Sequence, residues 1–183
     1  MGKPFVSFSN HHLINQTFGN HRATTRQWYP YRYLVRRWIA QGRDKRFALL
    51  DHPGYASFRD NPFIGRGFAL QLNRYAACMT DGLQLNYTVA KILEMPAAGC
   101  LLLINGEMTP LLARLGFFDS VHFLSYNNAS TLIDVVKRVL DPRNARIMHA
   151  MRQRAQALVL RRHVVTHRAA EMHSTVLFLT KPK

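Results

Sequence analysis

Five short apolar runs, none with a polar face, constrain the fold of this chain more than any other feature. They are PFVSF (4–8), RFALL (46–50), AACMT (76–80), CLLLI (100–104) and VHFLS (121–125). A strand wetted on one side alternates apolar and polar residues, whereas a strand buried on both faces does not. Segments of helical periodicity separate the runs, so strand and helix alternate five times. That is the pattern of a parallel sheet covered by helices on both sides. The expected fold class is therefore α/β: a Rossmann-like three-layer domain with a parallel sheet of about five strands and additional C-terminal helices.

The helical segments support the same reading. A helix is expected to start at Pro30, where proline's missing N–H costs nothing. Tyr31, Leu34, Val35 and Trp38 then form one apolar face. Residues 9–28 read as a polar stretch and 52–67 as a long loop rich in turn formers. Phe68 to Tyr75 is expected to be helical, as is Thr88 to Ala98, where Val89, Ile92, Leu93 and Ala97 share a face. A short helix around 109–115 should stop at Gly116. Thr131 and Asp134 resemble a capping box that opens a helix with a stripe of Leu132, Val135, Val136, Val139 and Leu140. Past Asp141-Pro142 we expect a helical extension over about 142–173, with Ile147, Met148, Met151, Ala155, Leu158 and Val159 inward, and then a tail, 174–183. At 183 residues the chain suits one domain spanning its whole length.

Bulk properties narrow the partners. Lys and Arg number 25 against 10 Asp and Glu, a net charge of +15, which favours an anionic partner: nucleic acid, acidic lipid or a phosphorylated small molecule. The longest apolar runs are about five residues, far short of a membrane span of roughly 20. The N-terminus lacks the long apolar core of a secretory signal. Cys78 and Cys100 sit inside apolar runs and read as buried free thiols, which implies a reducing, cytoplasmic location.

In a parallel sheet, ligands bind beyond the carboxyl ends of the strands, at a switch in strand order. Here those positions follow residues 8, 50, 80, 104 and 125. The segment NYTVAKILEMPAAG (86–99) follows the third run. A helix starting near Thr88 would direct unpaired amides toward the sheet edge. Tyr87, Lys91 and Glu94, at i, i+4 and i+7, form a stripe apart from the apolar face, and Pro96 bends or ends the helix. A cation, a carboxylate one turn deeper and free amides suit phosphates and a sugar hydroxyl. Spacing alone equally allows a Lys91–Glu94 surface pair worth about 0.2–0.5 kcal/mol.

Arg22, Arg26 and Arg32 follow the first run and are candidates to neutralise a diphosphate, Arg32 at a helix start foremost among them. Ser9 and Asn10 are either phosphate donors or turn residues. His52 and Tyr55, after the second run, are candidate lining of a nucleotide pocket. His163 and His167 have the four-residue spacing of helical metal ligands, but Val164 stands where a zincin needs glutamate, so no metal is expected.

From about Tyr29 to Glu171 the chain resembles the carboxyl-terminal domain of CgeB-like glycosyltransferases in the GT-B superfamily. The resemblance rests on YPYR (29–32), HPGY (52–55), YTVAKILEMPAAGCLLL (87–103), LLARLGF (111–117), VHFLSYNN (121–128) and RRHVVTHR (161–168). It implies that Glu94 binds the ribose of a nucleotide-sugar donor. It also implies that the backbone at Tyr87, Thr88 and Val89 cradles the diphosphate and sugar. Eight positions before Glu94, where such enzymes often carry a second acid against the transferred sugar, this chain has Asn86. The family's amino-terminal acceptor domain has no counterpart in these residues, so the resemblance implies a fragment, a degenerate copy or one piece of a split enzyme whose acceptor domain is a separate polypeptide.

The function implied is a donor-binding domain that holds a nucleoside-diphosphate sugar, with no cofactor, for transfer to an acceptor hydroxyl. Two alternatives rest on other features. One is a nucleic-acid or acidic-surface binding module, supported by the charge but lacking RNP-type aromatic strands or a GXXG loop. The other is a non-catalytic relic of a glycosyltransferase.

Overall fold

The structure, a computed structural model, describes residues 10–18, 29–51, 66–82 and 88–180. Five strands, β1 (Asn10–Phe18), β2 (Phe47–Asp51), β3 (Tyr75–Met79), β4 (Leu101–Asn105) and β5 (Phe123–Tyr126), form one sheet in the order β2-β1-β3-β4-β5. Every pairing is parallel: β1 Gln16 lies beside Met79, Met79 beside Leu103, and Asn105 beside Tyr126. Each crossover must therefore pass over a face, and helices do so: α1 (Pro30–Ala40), α2 (Arg66–Asn73), α3 (Lys91–Ala97) and α4 (Thr109–Arg114); α5 (Ala129–Leu140) follows the last strand. Two further helices, α6 (Ala145–Arg162) and α7 (Val165–Leu179), follow β5 and α5.

The core has two halves, one on each face of the sheet. Leu101 and Leu103 point to one side, with Val35 of α1 and Leu132, Val136 and Val139 of α5. Leu102 and Ile104 point to the other, with Ile92 and Met95 of α3, Leu112 of α4 and Leu158 of α6. All five residues of β4 are buried, which is why CLLLI carries no polar alternation. Burying such a side chain contributes about 1.5–3 kcal/mol relative to exposure.

Several expectations need correction. The first described strand is Asn10–Phe18, inside the segment read as polar, while PFVSF (4–8) lies outside the described residues. Polar side chains do not prevent a strand where parallel neighbours on both sides, β2 and β3, take up its backbone hydrogen bonds. Cys78 and Cys100 are joined in a disulfide and are not free thiols. They lie on adjacent strand tracks: Leu102 pairs with Cys78, and Cys100, two residues earlier, shares its face of the sheet. The thiol argument for a reducing compartment falls with that pairing. The capping box lies three residues earlier than expected, at Asn128 and Thr131. Asn128 Oδ1 accepts from the Thr131 amide at 2.9 Å, and Thr131 Oγ1 accepts from the Asn128 amide at 3.0 Å. The presumed tail is helical as far as Leu179. Among the described residues, no helix is long and apolar enough to cross a membrane.

Two glycines end helices as their positions suggest. Gly116, at φ +82°, stops α4. Gly99, at φ +75°, stops α3 in a Schellman turn, with the Gly99 amide donating to Pro96 O (2.8 Å) and the Cys100 amide to Met95 O (3.0 Å). Three side chains take the remaining carbonyls of that end. Asn73 Nδ2 donates to Ala98 O (2.7 Å), Gln156 Nε2 to Ala97 O (3.0 Å) and Arg152 Nε to Gly99 O (2.7 Å). A Cβ on Gly99 would also lie 2.8 Å from Asn73 Nδ2. Gly99→Ala is therefore expected to destabilise the domain by about 1–2 kcal/mol, the cost of a left-handed non-glycine residue, read as a lower urea midpoint. An unchanged midpoint would contradict this account of the turn.

Candidate functional site at the carboxyl edge of the sheet

The strand order reverses beside β1: the chain moves from β1 outward to β2, then returns to place β3 on β1's other flank. Ligands of doubly wound sheets bind at such a switch point. The segment leaving β3 there is Thr80-Asp81-Gly82, and all three residues are buried.

Asp81 organises this edge. Its Oδ2 accepts from the backbone amides of Tyr31 (3.1 Å) and Arg32 (3.2 Å), so a carboxylate from the sheet edge caps the start of α1. Its Oδ1 lies 2.7 Å from Arg32 Nε, off the N–H direction, an ion pair rather than an aligned hydrogen bond. Arg32 Nη2 donates to Thr80 Oγ1 (2.5 Å) and to the Asp81 carbonyl (3.1 Å), and the guanidinium lies 4.1 Å from the centre of the Tyr29 ring. Burial pushes the Asp81 carboxyl up to about 6, against the opposing pull of Arg32 and the α1 amides.

A second set of contacts ties β5 to the same point. Tyr126 Oη donates to Thr80 O at 2.7 Å, and burial, with the nearby Asp81 charge, raises the Tyr126 phenol well above its ordinary range. Tyr31 packs edge-on to Tyr126, with centroids 5.0 Å apart, and its hydroxyl donates to Asn127 O at 2.6 Å. The loop after β4 joins in, because Asn105 Oδ1 accepts from the Gly82 amide at 2.8 Å.

Lys91 stands at the first residue of α3, half-buried, with its ammonium 5.7 Å from the centre of the Phe68 ring. Its pKa is lowered to about 8, by burial first and by the charge of Arg32 second, with Glu94 as a partial offset. Lys91 and Glu94 do not close into an ion pair, so the surface-pair reading of this stretch fails; Glu94 is exposed on the first turn. The helix begins three residues later than Thr88, which leaves Thr88 and Val89 in the approach to it, Val89 O accepting from the Ile92 amide at 3.0 Å.

Residues 63–174, well over half of the chain, match the family described as glycosyl transferase-like. The chain belongs to this family. The matched span of this glycosyl transferase-like domain includes β3, Asp81, Lys91 and Glu94. The chain is also similar to a solved structure, the C-terminal domain of a glycosyl transferase group 1 family protein (LpcC) from Francisella tularensis. That likeness has a TM-score of 0.52 at 12% identity, covering 88% of this chain and 97% of the other. At that identity it is a likeness of fold. No curated protein matches the chain.

Of the residues singled out from sequence, the structure of the glycosyl transferase-like domain brings Arg32 and Glu94 within electrostatic reach of Lys91. Asn86, Tyr87, His52, Tyr55, Ser9, Arg22 and Arg26 lie outside the described residues. Arg32 is placed as expected at the start of α1, but its charge is matched by Asp81. Sequence reasoning missed Asp81, Thr80 and Tyr126. The available signal was an aspartate directly after a wholly apolar run, at the carboxyl end of a buried strand. His163 and His167 do not form a metal site: His163 Nε2 meets Leu115 O at 2.8 Å, and no group of three or more metal-binding residues occurs among the described residues.

Asp81→Asn keeps the cap but leaves a buried guanidinium without a counter-charge. It is expected to cost about 3–5 kcal/mol in urea unfolding. Adding Arg32→Met should recover part of that loss. A cost below about 1 kcal/mol for the single variant would show that the pair does not hold the edge together.

Proposed function

We propose that this chain is the donor-binding domain of a GT-B glycosyltransferase of the CgeB-like kind. In this reading it holds a nucleoside-diphosphate sugar at the carboxyl edge of the sheet while the sugar passes to an acceptor hydroxyl. The observation that carries the reading is Lys91: a half-buried cation beside a second cation, at the switch point, whose pKa burial has lowered. A diphosphate is the anion that such a position lacks.

In the transfer, the bond from the anomeric carbon to the diphosphate breaks and its electron pair leaves on a phosphate oxygen. The acceptor oxygen bonds to that carbon and gives up its proton to a base. Lys91 stabilises the charge that develops on the leaving phosphate, the point at which a fixed cation contributes most. Glu94, exposed one turn on, takes the ribose hydroxyls, and Asn86 takes the transferred sugar. The backbone at Tyr87, Thr88 and Val89 flanks the diphosphate, with His52 and Tyr55 near the nucleotide. Arg32 acts at second hand, by holding Asp81 and the start of α1 in place.

A panel of UDP, GDP and their sugars should raise the melting temperature, and Glu94→Ala should abolish most of the shift. No shift with any nucleotide would refute the reading. The pH dependence follows from Lys91, whose protonated form binds the diphosphate. Below about pH 8 the charge is already present. Above that, binding must take up a proton, and affinity should fall by up to about tenfold per pH unit. Lys91→Arg, which stays charged, should flatten that fall; an unchanged slope would remove Lys91 from the diphosphate.

A further inference from the structure

A second cationic feature lies at the opposite edge of the sheet. α4 leaves the carboxyl end of β4 and β5 begins afresh after it, so the last turn of α4 lies at the amino edge of the sheet. There the ends of α4 and α6 and the start of α7 enclose a cleft of about 670 Å³, within the range of small-molecule sites. Its walls carry Arg114, Arg161, Arg162 and Arg168, with Glu171 as the sole acid.

One of the four arginines is already engaged. Arg168 Nη1 lies 2.6 Å from Glu171 Oε2, and its Nη2 donates to His163 Nδ1. His163 Nε2 faces the Leu115 carbonyl at 2.8 Å, so the proton sits on Nε2 and Nδ1 is the acceptor. Its ring stacks on Phe117, with centroids 5.6 Å apart, which makes His163 a fixed neutral wall. Among the described residues neither Arg114 nor Arg162 forms an ion pair, and Arg161 uses only Nε, on the Ala157 carbonyl at 3.2 Å. Three of the four arginines that line the cavity are therefore not paired with a carboxylate among the described residues.

One further observation bears on the occupant. The start of α7, a helix of 15 residues, has Val164 as N-cap and hence no side-chain cap for its first amides. Planar guanidinium forks and an uncapped helix start favour the same occupant, an oxyanion with several acceptor oxygens.

We propose that the α4–α6–α7 cleft is a binding site for the diphosphate group of a small molecule, separate from the carboxyl edge. The group could come from free pyrophosphate or from a nucleoside diphosphate. Titration calorimetry at constant ionic strength distinguishes the sources, carried out on the Lys91→Ala chain so that the other site does not contribute. Pyrophosphate binding tighter than nucleoside diphosphate binding identifies the free anion; the reverse identifies the nucleotide. In either case the exposed double substitution Arg161→Gln with Arg162→Gln should weaken binding at least about tenfold, as expected for two lost charge-assisted contacts. The Lys pair at the same positions should restore part of it. The proposal fails if Lys91→Ala alone abolishes pyrophosphate binding, if the Gln pair binds within twofold of its parent, or if sulfate at equal ionic strength binds as well as pyrophosphate.

Discussion

The carboxylate of Asp81 is the constraint on which the upper edge of this domain depends. A buried charge is tolerated only when its oxygens are occupied, and Asp81 fills them from two sources: the amides that open α1 and the guanidinium of Arg32. One side chain thereby fixes the entry of α1, the orientation of Arg32 and the path of the chain leaving β3. Thr80 and the Asp81 carbonyl hold the far end of the guanidinium, and Tyr126 fastens Thr80 to β5. The pair contributes less to net stability than to geometry, because desolvation offsets much of its Coulomb energy.

That geometry matters because Arg32 has its charge matched and Lys91 does not. Two cations side by side would repel; neutralising one of them with a buried aspartate leaves a single ammonium facing the site. The helix bearing it is held from its other end, where Asn73, Gln156 and Arg152 take the carbonyls at the Gly99 turn. α3 is thus fixed at the amino edge of the sheet and presents Lys91 and Glu94 at the carboxyl edge. Preorganisation of this kind is what makes a fixed charge effective at a developing one.

Much of this was legible in the sequence. Strands buried on both faces show as runs without alternation, so β2 to β5 were readable at once, and Pro30 and Gly116 marked helix ends by backbone chemistry alone. β1 was not readable. Its residues, NHHLINQTF, are those of a loop by composition, and only pairing on both sides makes them a strand. The Cys78–Cys100 disulfide was equally hidden, because it depends on which strands are neighbours and not on spacing along the chain. In the site, Lys91 and Glu94 were legible as a stripe apart from the apolar face. Asp81 was not, since its partners lie about fifty residues away.

The proposed role of this domain depends most on a donor diphosphate lying beside Lys91 at the switch in strand order. Backbone-amide NMR during titration with the nucleotide-sugar that gives the largest thermal shift tests this directly. The predicted result is that the largest perturbations among described residues fall on Thr80–Gly82 and Thr88–Glu94, at the carboxyl edge. Perturbations confined to the 161–171 segment, or spread evenly over the arginine-bearing surface, would contradict it.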